Sequence, residues 1–204
     1  AGATIADNGN VSVPAGTPAG TYVLSYLLCE DLNAGNCDAA TVTVVVAAPV
    51  IDAVNDDLTA TAVNGRNGGT AGNVLTNDTL NGAAVNPALT TITVMADGGL
   101  TGVAISDTGV VSVPAGTPAG TYVVTYQLCE DLNPGNCDTA TATVLVGAAP
   151  INAVNDSFPT VAGLGGGTTA SVLGNDTLDG TNVVPAEITL TPGAAPTPAS
   201  GAIT

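Results

Sequence analysis

The segment Val11-Ser-Val-Pro-Ala-Gly-Thr-Pro-Ala-Gly-Thr-Tyr-Val23 recurs letter for letter from Val111 to Val123. A chain that repeats itself at a domain-sized period is a string of similar modules, and its function lies in what the string does as a physical object. Followed outward, the similarity joins Cys29-Glu-Asp-Leu-Asn-Ala-Gly-Asn-Cys37 to Cys129-Glu-Asp-Leu-Asn-Pro-Gly-Asn-Cys137. It also joins Ala53-Val-Asn-Asp56 to Ala153-Val-Asn-Asp156, and Val74-Leu-Thr-Asn-Asp-Thr-Leu80 to Val172-Leu-Gly-Asn-Asp-Thr-Leu178. One complete unit therefore runs over residues 51–150. Residues 1–50 match its C-terminal half and residues 151–204 its N-terminal half, so the expectation is one whole module flanked by two complementary halves, with the chain beginning and ending inside a module.

Composition narrows the class. Hydrophobic residues make up 45% of the 204, but aromatic ones only 2%, and Trp is absent. A core of Val, Ala, Leu and Ile with 26 Gly, 13 Pro and much Thr favours short strands and turns over helices. The 17 acidic side chains face a single basic one, Arg66, for a net charge of −16. Nucleic acid and anionic membrane surfaces need clustered Lys and Arg and are excluded as partners. The same lack of Lys rules out Lys-Asn isopeptide braces. No membrane-spanning run or signal peptide is visible, and direct membrane insertion is not expected.

Any covalent brace must then be cysteine, and face counting tests whether each pair can close. Tyr22, Leu24, Tyr26 and Leu28 share one strand face, as do Tyr122, Val124, Tyr126 and Leu128, and they are the inward set. Cys29 and Cys129 fall on the opposite, outer face. After the loop, Val42, Val44 and Val46, with Ala140, Ala142, Val144 and Val146, point inward, which puts Cys37 and Cys137 outward as well. Both members of each pair thus share a face of one hairpin, as a cross-strand disulfide requires. Free buried thiols are the competing reading; a zinc pair is disfavoured by the spacing and the absence of His. Disulfides imply an oxidising, extracellular setting.

Within the complete unit the pattern predicts strands over 53–63, 71–76, 90–95, 103–106, 110–113, 120–129 and 138–146, separated by turns such as Asn64-Gly-Arg-Asn-Gly-Gly69 and Asp107-Thr-Gly109. Seven short strands fit an all-β chain of tandem immunoglobulin-like β-sandwich modules. The missing Trp and hairpin-local cysteines argue against an antibody-type domain.

The Ala-Val-Asn-Asp opening, the Val-Leu-x-Asn-Asp-Thr segment and Gly-Thr-Tyr-x-x-x-Tyr-x-x-Cys-Glu followed by Asn-Cys-Asp resemble the Ig-like or cadherin-like tandem repeats of bacterial surface adhesins and extracellular fibres. The resemblance covers the whole repeat and implies stalks, adhesin shafts or filament subunits, without specifying a ligand. It also implies calcium as a candidate cofactor held by acidic residues at module junctions. The candidate oxygen ligands are Asp52, Asn55, Asp56, Asp57, Asn77 and Asp78, with Asn155, Asp156, Asn175 and Asp176 at the next junction. Against this stands the alternative that Asn and Asp simply build turns and caps there. The ligand set also thins in the copy, where Asp57 becomes Ser157 and Asp52 becomes Asn152.

Catalysis is not expected. Without His or Lys a nucleophile lacks its usual base, and Glu30/Asp31 and Glu130/Asp131 read as solvated charges of a hairpin loop. Gly163-Leu-Gly-Gly-Gly167 lacks the Lys and helix of a phosphate loop, and the four Tyr read as core rather than a sugar site. The sequons at Asn10, Asn77, Asn155 and Asn175 are weak matches in so Thr- and Asn-rich a chain. The functional expectation is a structural subunit or repeat segment of an extracellular bacterial filament. It would assemble head to tail with itself by β-strand complementation between half modules. The alternatives are a stalk or adhesin repeat that binds glycan or a host cell-surface protein, and a spacer attached to an enzyme beyond this segment.

Overall fold

The structure is a computed structural model that describes residues 2–194; residues 195–204, the end of the expected final half module, lie outside the described residues. Strands dominate, and the helical content is confined to single 3-10 turns. The chain divides into two compact units, Ala1–Ala148 and Ala149–Thr204.

The first unit opens with β1 (Thr4–Ile5) and β2 (Val11–Ser12), which pair antiparallel, followed by the long hairpin of β3 (Gly20–Cys29) and β4 (Cys37–Val46). Each pair is a two-stranded sheet by itself.

The complete module follows. Its strands are β5 (Ile51–Asp52), β6 (Asp56–Asn64), β7 (Gly69–Asn73), β8 (Thr79–Leu80), β9 (Ala83–Ala84), β10 (Thr90–Ala96), β11 (Ala104–Ile105), β12 (Val110–Val113), β13 (Gly120–Glu130) and β14 (Cys137–Gly147). One sheet has the order β10-β13-β14-β6 and the facing one β11-β12-β7, with β5-β8-β9 a small sheet of its own. The β13–β14 hairpin repeats the register of β3–β4 residue for residue, from Gly120↔Val146 to Cys129↔Cys137. β6 pairs parallel with β14, so the module closes by bringing its first long strand against its last. Val124, Tyr126 and Leu128 of β13, Ala142 and Val144 of β14, Val111 of β12 and Val74 of a 3-10 turn are fully buried between the two sheets. All seven expected strands are present. The first starts at Asp56 rather than residue 53, and the second stops at Asn73. There the Asn73 side chain accepts from Leu75 N and caps the turn Val74–Thr76.

The second unit carries β15 (Ile151–Asn152), β16 (Thr177–Leu178) and β17 (Thr181–Asn182) in the order and register of β5, β8 and β9. The positive φ of Asn81 and Gly82 at the β8–β9 turn recurs at Asp179 and Gly180. The counterparts of β6 and β7 fall within residues 153–176, which form no strand.

Candidate functional site

Two features of the first unit stand out chemically: a buried knot of carboxylates in the complete module, and an apolar hairpin face in the segment before it.

The knot centres on Tyr126, which alternation along β13 turns inward. Its hydroxyl lies 3.1 Å from Asp56 Oδ2, 3.1 and 3.2 Å from Asp78 Oδ2 and Oδ1, 3.3 Å from the Val54 carbonyl and 3.4 Å from that of Val74. All three side chains are buried. A phenol has one proton to donate, so it can satisfy one carboxylate; the other is best satisfied by holding a proton and donating to Tyr126 Oη. Burial pushes the Asp56 carboxyl up to about 6, against the opposing effect of the Tyr126 hydrogen bond, and nearby Asp78 adds to the rise. Burial also raises Asp78, despite hydrogen bonds from Val54 N and Tyr126, with Asp52 and Asp138 pushing the same way. Tyr126 itself is pushed above its ordinary value, by burial first and then by the two carboxylates.

The remaining contacts around the knot stitch the front of the module to its back. Val54 N donates to Asp78 Oδ1 at 2.7 Å and Ala53 N to Asp138 Oδ2 at 2.9 Å. Asn55 Oδ1 accepts from Thr141 N and Oγ1, at 2.8 and 3.0 Å, and Asn77 Nδ2 donates to the carbonyls of Val54 and Asn55. Asn136 Nδ2 reaches the Pro49 carbonyl at 2.8 Å.

The structure thus brings together only part of the calcium candidate set. Asp56 and Asp78 converge on a hydroxyl, Asn55 holds Thr141, and Asp57 Oδ1 turns to Thr59 N and Oγ1. Asp52 ends β5, outside the knot. In the second unit Asp176 Oδ1 accepts from Val154 N at 2.8 Å and Asn175 Nδ2 donates to the Asn155 carbonyl, while Asp156 is exposed. Among the described residues no group of three or more His, Cys, Asp or Glu side chains is placed to hold a metal ion. Asn55, Asp56, Asp57, Asp78 and Asp176 thus each have a side-chain oxygen on a protein hydroxyl or backbone N–H.

Both disulfides are formed, Cys29–Cys37 and Cys129–Cys137, each closing a local hairpin loop that its own acid organises. Glu130 accepts from Asn133 Nδ2 and Asn136 Nδ2 at 2.8 and 3.1 Å and is only 5% exposed. The expectation of a solvated Glu130 fails because distant segments close over its loop, where Asp131 N donates to the Leu89 carbonyl and Asn136 Nδ2 to that of Pro49. Glu30 makes the same bonds with Asn33 and Asn36 but remains exposed; those bonds hold its carboxyl below the usual range.

The second feature is the hairpin β3–β4. Tyr26 is 44% and Leu28 71% exposed, whereas Tyr126 and Leu128 are 0% exposed. A hollow lined by Ile5, Gly9, Val11, Tyr26 and Val42 occupies the ground that core fills in the complete module.

No family model matches the chain, and no curated protein matches it. Among solved structures, it is similar to the extracellular domain of protocadherin GammaB4 at 14% identity. That match covers 80% of this chain and 28% of the other, with a TM-score of 0.33. It is likewise similar to the EC3-6 cis-dimer structure of protocadherin gammaB7 at 16% identity, covering 80% of this chain and 42% of the other, with a TM-score of 0.34. The chain therefore spans less than half the length of either. Likeness this slight says nothing of a ligand or partner. The fold defines a class: an all-β, disulfide-braced, immunoglobulin-like module preceded by a two-stranded, disulfide-braced hairpin. Among the described residues no helix is long and apolar enough to cross a membrane.

Proposed function

We propose that the chain is a non-catalytic structural segment of an extracellular filament, in which an open back half and the front half of a neighbouring copy complete one another by strand complementation. One observation carries this: the same hairpin occurs twice in the same register, closed over a core in β13–β14 and bare in β3–β4. In the complete module β13 pairs with β10 and β14 with β6. The corresponding edges of β3 and β4 have no neighbour within their sheet. Two disulfides and an acidic, Lys-free surface with a single Arg suit an oxidising, proteolytic exterior.

Electron microscopy and sizing of the purified 204-residue chain test the proposal. Complementation gives concentration-dependent filaments with an axial repeat of about two module lengths. A single-sized monomer with a full β signal at all concentrations would rule it out.

A further inference from the structure

We infer that the open face of β3–β4 is a docking surface for a second copy of this chain. The second copy's residues 151–178 would lie on it in the register that residues 51–80 take on β13–β14, with the Tyr26 hydroxyl between Asp156 and Asp176. This rests on the complementation reading and specifies its joint.

The argument is that the contacts closing the complete module have both partners duplicated in the two open halves. Tyr126 with Asp56 and Asp78 becomes Tyr26 with Asp156 and Asp176. The Asp138 acceptor for Ala53 N becomes Asp38 facing Ala153, and the Asn55–Thr141 pair becomes Asn155 and Thr41. Asn136, which holds a carbonyl of the linker ahead of the module, becomes Asn36. None of these pairs is local; Tyr126 lies 70 residues from Asp56. Local folding does not require that both sides be kept, whereas docking does. The apolar cover is duplicated too: Val74 and Leu75, buried over the core, correspond to Val172 and Leu173, and Val172 is 40% exposed. Asp56 and Asp78 are already turned toward Tyr126 in the closed copy, and Asp176 already holds Val154 N as Asp78 holds Val54 N. The donor segment therefore arrives with part of its geometry set, which lowers the ordering cost of docking.

The register makes a sharp test, because Thr143 pairs with Asp57 on the outer face and the matching positions are Thr43 and Ser157. In the full chain carrying Thr43→Cys and Ser157→Cys, mild oxidation followed by non-reducing electrophoresis and peptide mapping should give a ladder of chains joined between positions 43 and 157. The pair Ala39→Cys and Ser157→Cys, four residues out of register, should give none. Tyr26→Phe should weaken assembly about tenfold or more, the cost of leaving the Asp156 and Asp176 carboxyls without a bridging hydroxyl, while the unfolding of the complete module is unchanged. A link formed within single chains overturns docking of a second copy. Oligomers that size correctly but fail to link at 43 and 157 overturn this register and leave complementation standing. A chain that neither links nor associates overturns both.

Discussion

At the scale of single residues, Tyr126 shows how one hydroxyl can hold a module shut. Its inward position was legible from alternation along the strand, but its partners were not, because Asp56 and Asp78 come from segments 70 and 48 residues away. The sequence offers them as calcium ligands or turn caps; the structure places both, buried, on one hydroxyl. Replacing Tyr126 by Phe should destabilise the complete module by about 2–3 kcal/mol, since the buried Asp56 and Asp78 carboxyls lose the hydroxyl that bridges them, measurable by urea unfolding. Tyr26→Phe should cost a monomer little, because Tyr26 is 44% exposed. The pair also sets a pH dependence. Asp56 titrates at about 6 in the folded module, above the ordinary carboxyl value of 3.8, so the native state binds more protons than the unfolded chain between these values. Stability is then complete below about pH 4 as far as this group is concerned and falls as pH rises through about 6. Burial of Asp78, with Asp52 and Asp138 nearby, acts in the same direction. Thermal melts should show the module more stable at pH 5 than at pH 7.5, and Asp56→Asn should flatten that difference.

Elements fold alike in both copies wherever their contacts are local. Thr17 and Thr117 donate to the carbonyls of Pro14 and Pro114 at 2.6 Å, and Tyr22 and Tyr122 to those of Pro18 and Pro118 at 2.8 Å. The disulfide hairpins were legible for the same reason, since strand parity fixes which face a cysteine takes. Removing Cys129–Cys137 by a double Cys→Ala change should cost about 2–3 kcal/mol on the chain-entropy scale, read from denaturant midpoints. The small sheet β5-β8-β9 escaped the sequence because two-residue strands carry no period. Neighbours make the difference at the turn ahead of β12. Gly109 and Gly9 share a φ of +83° and +82°, yet a Cβ on Gly109 would meet Asn73 Oδ1 at 2.5 Å and Leu75 Cγ at 2.6 Å, while one on Gly9 meets nothing within 4 Å. Gly109→Ala should therefore destabilise well beyond the roughly 1 kcal/mol of an unfavourable φ, and Gly9→Ala by no more than that in a monomer. Comparing the two melts checks this directly.

For the whole molecule, amide hydrogen exchange should separate the two hairpins. β13 and β14 are central in a four-stranded sheet and should exchange only on global opening, whereas β3 and β4 should exchange orders of magnitude faster until a second copy covers them. Equal protection of both hairpins in a dilute, monomeric sample would contradict an open half module. The sequence by itself determined the repeat and its frame, the strands, the inward faces and the cysteine pairing, because each follows from order along the chain and the two-residue period of a strand. Only the tertiary structure decided which copy of each residue is buried, which carboxylates meet on one hydroxyl and where Glu130 sits. Those depend on segments far apart in the chain being packed together, and identical residues such as Tyr26 and Tyr126 differ in nothing else.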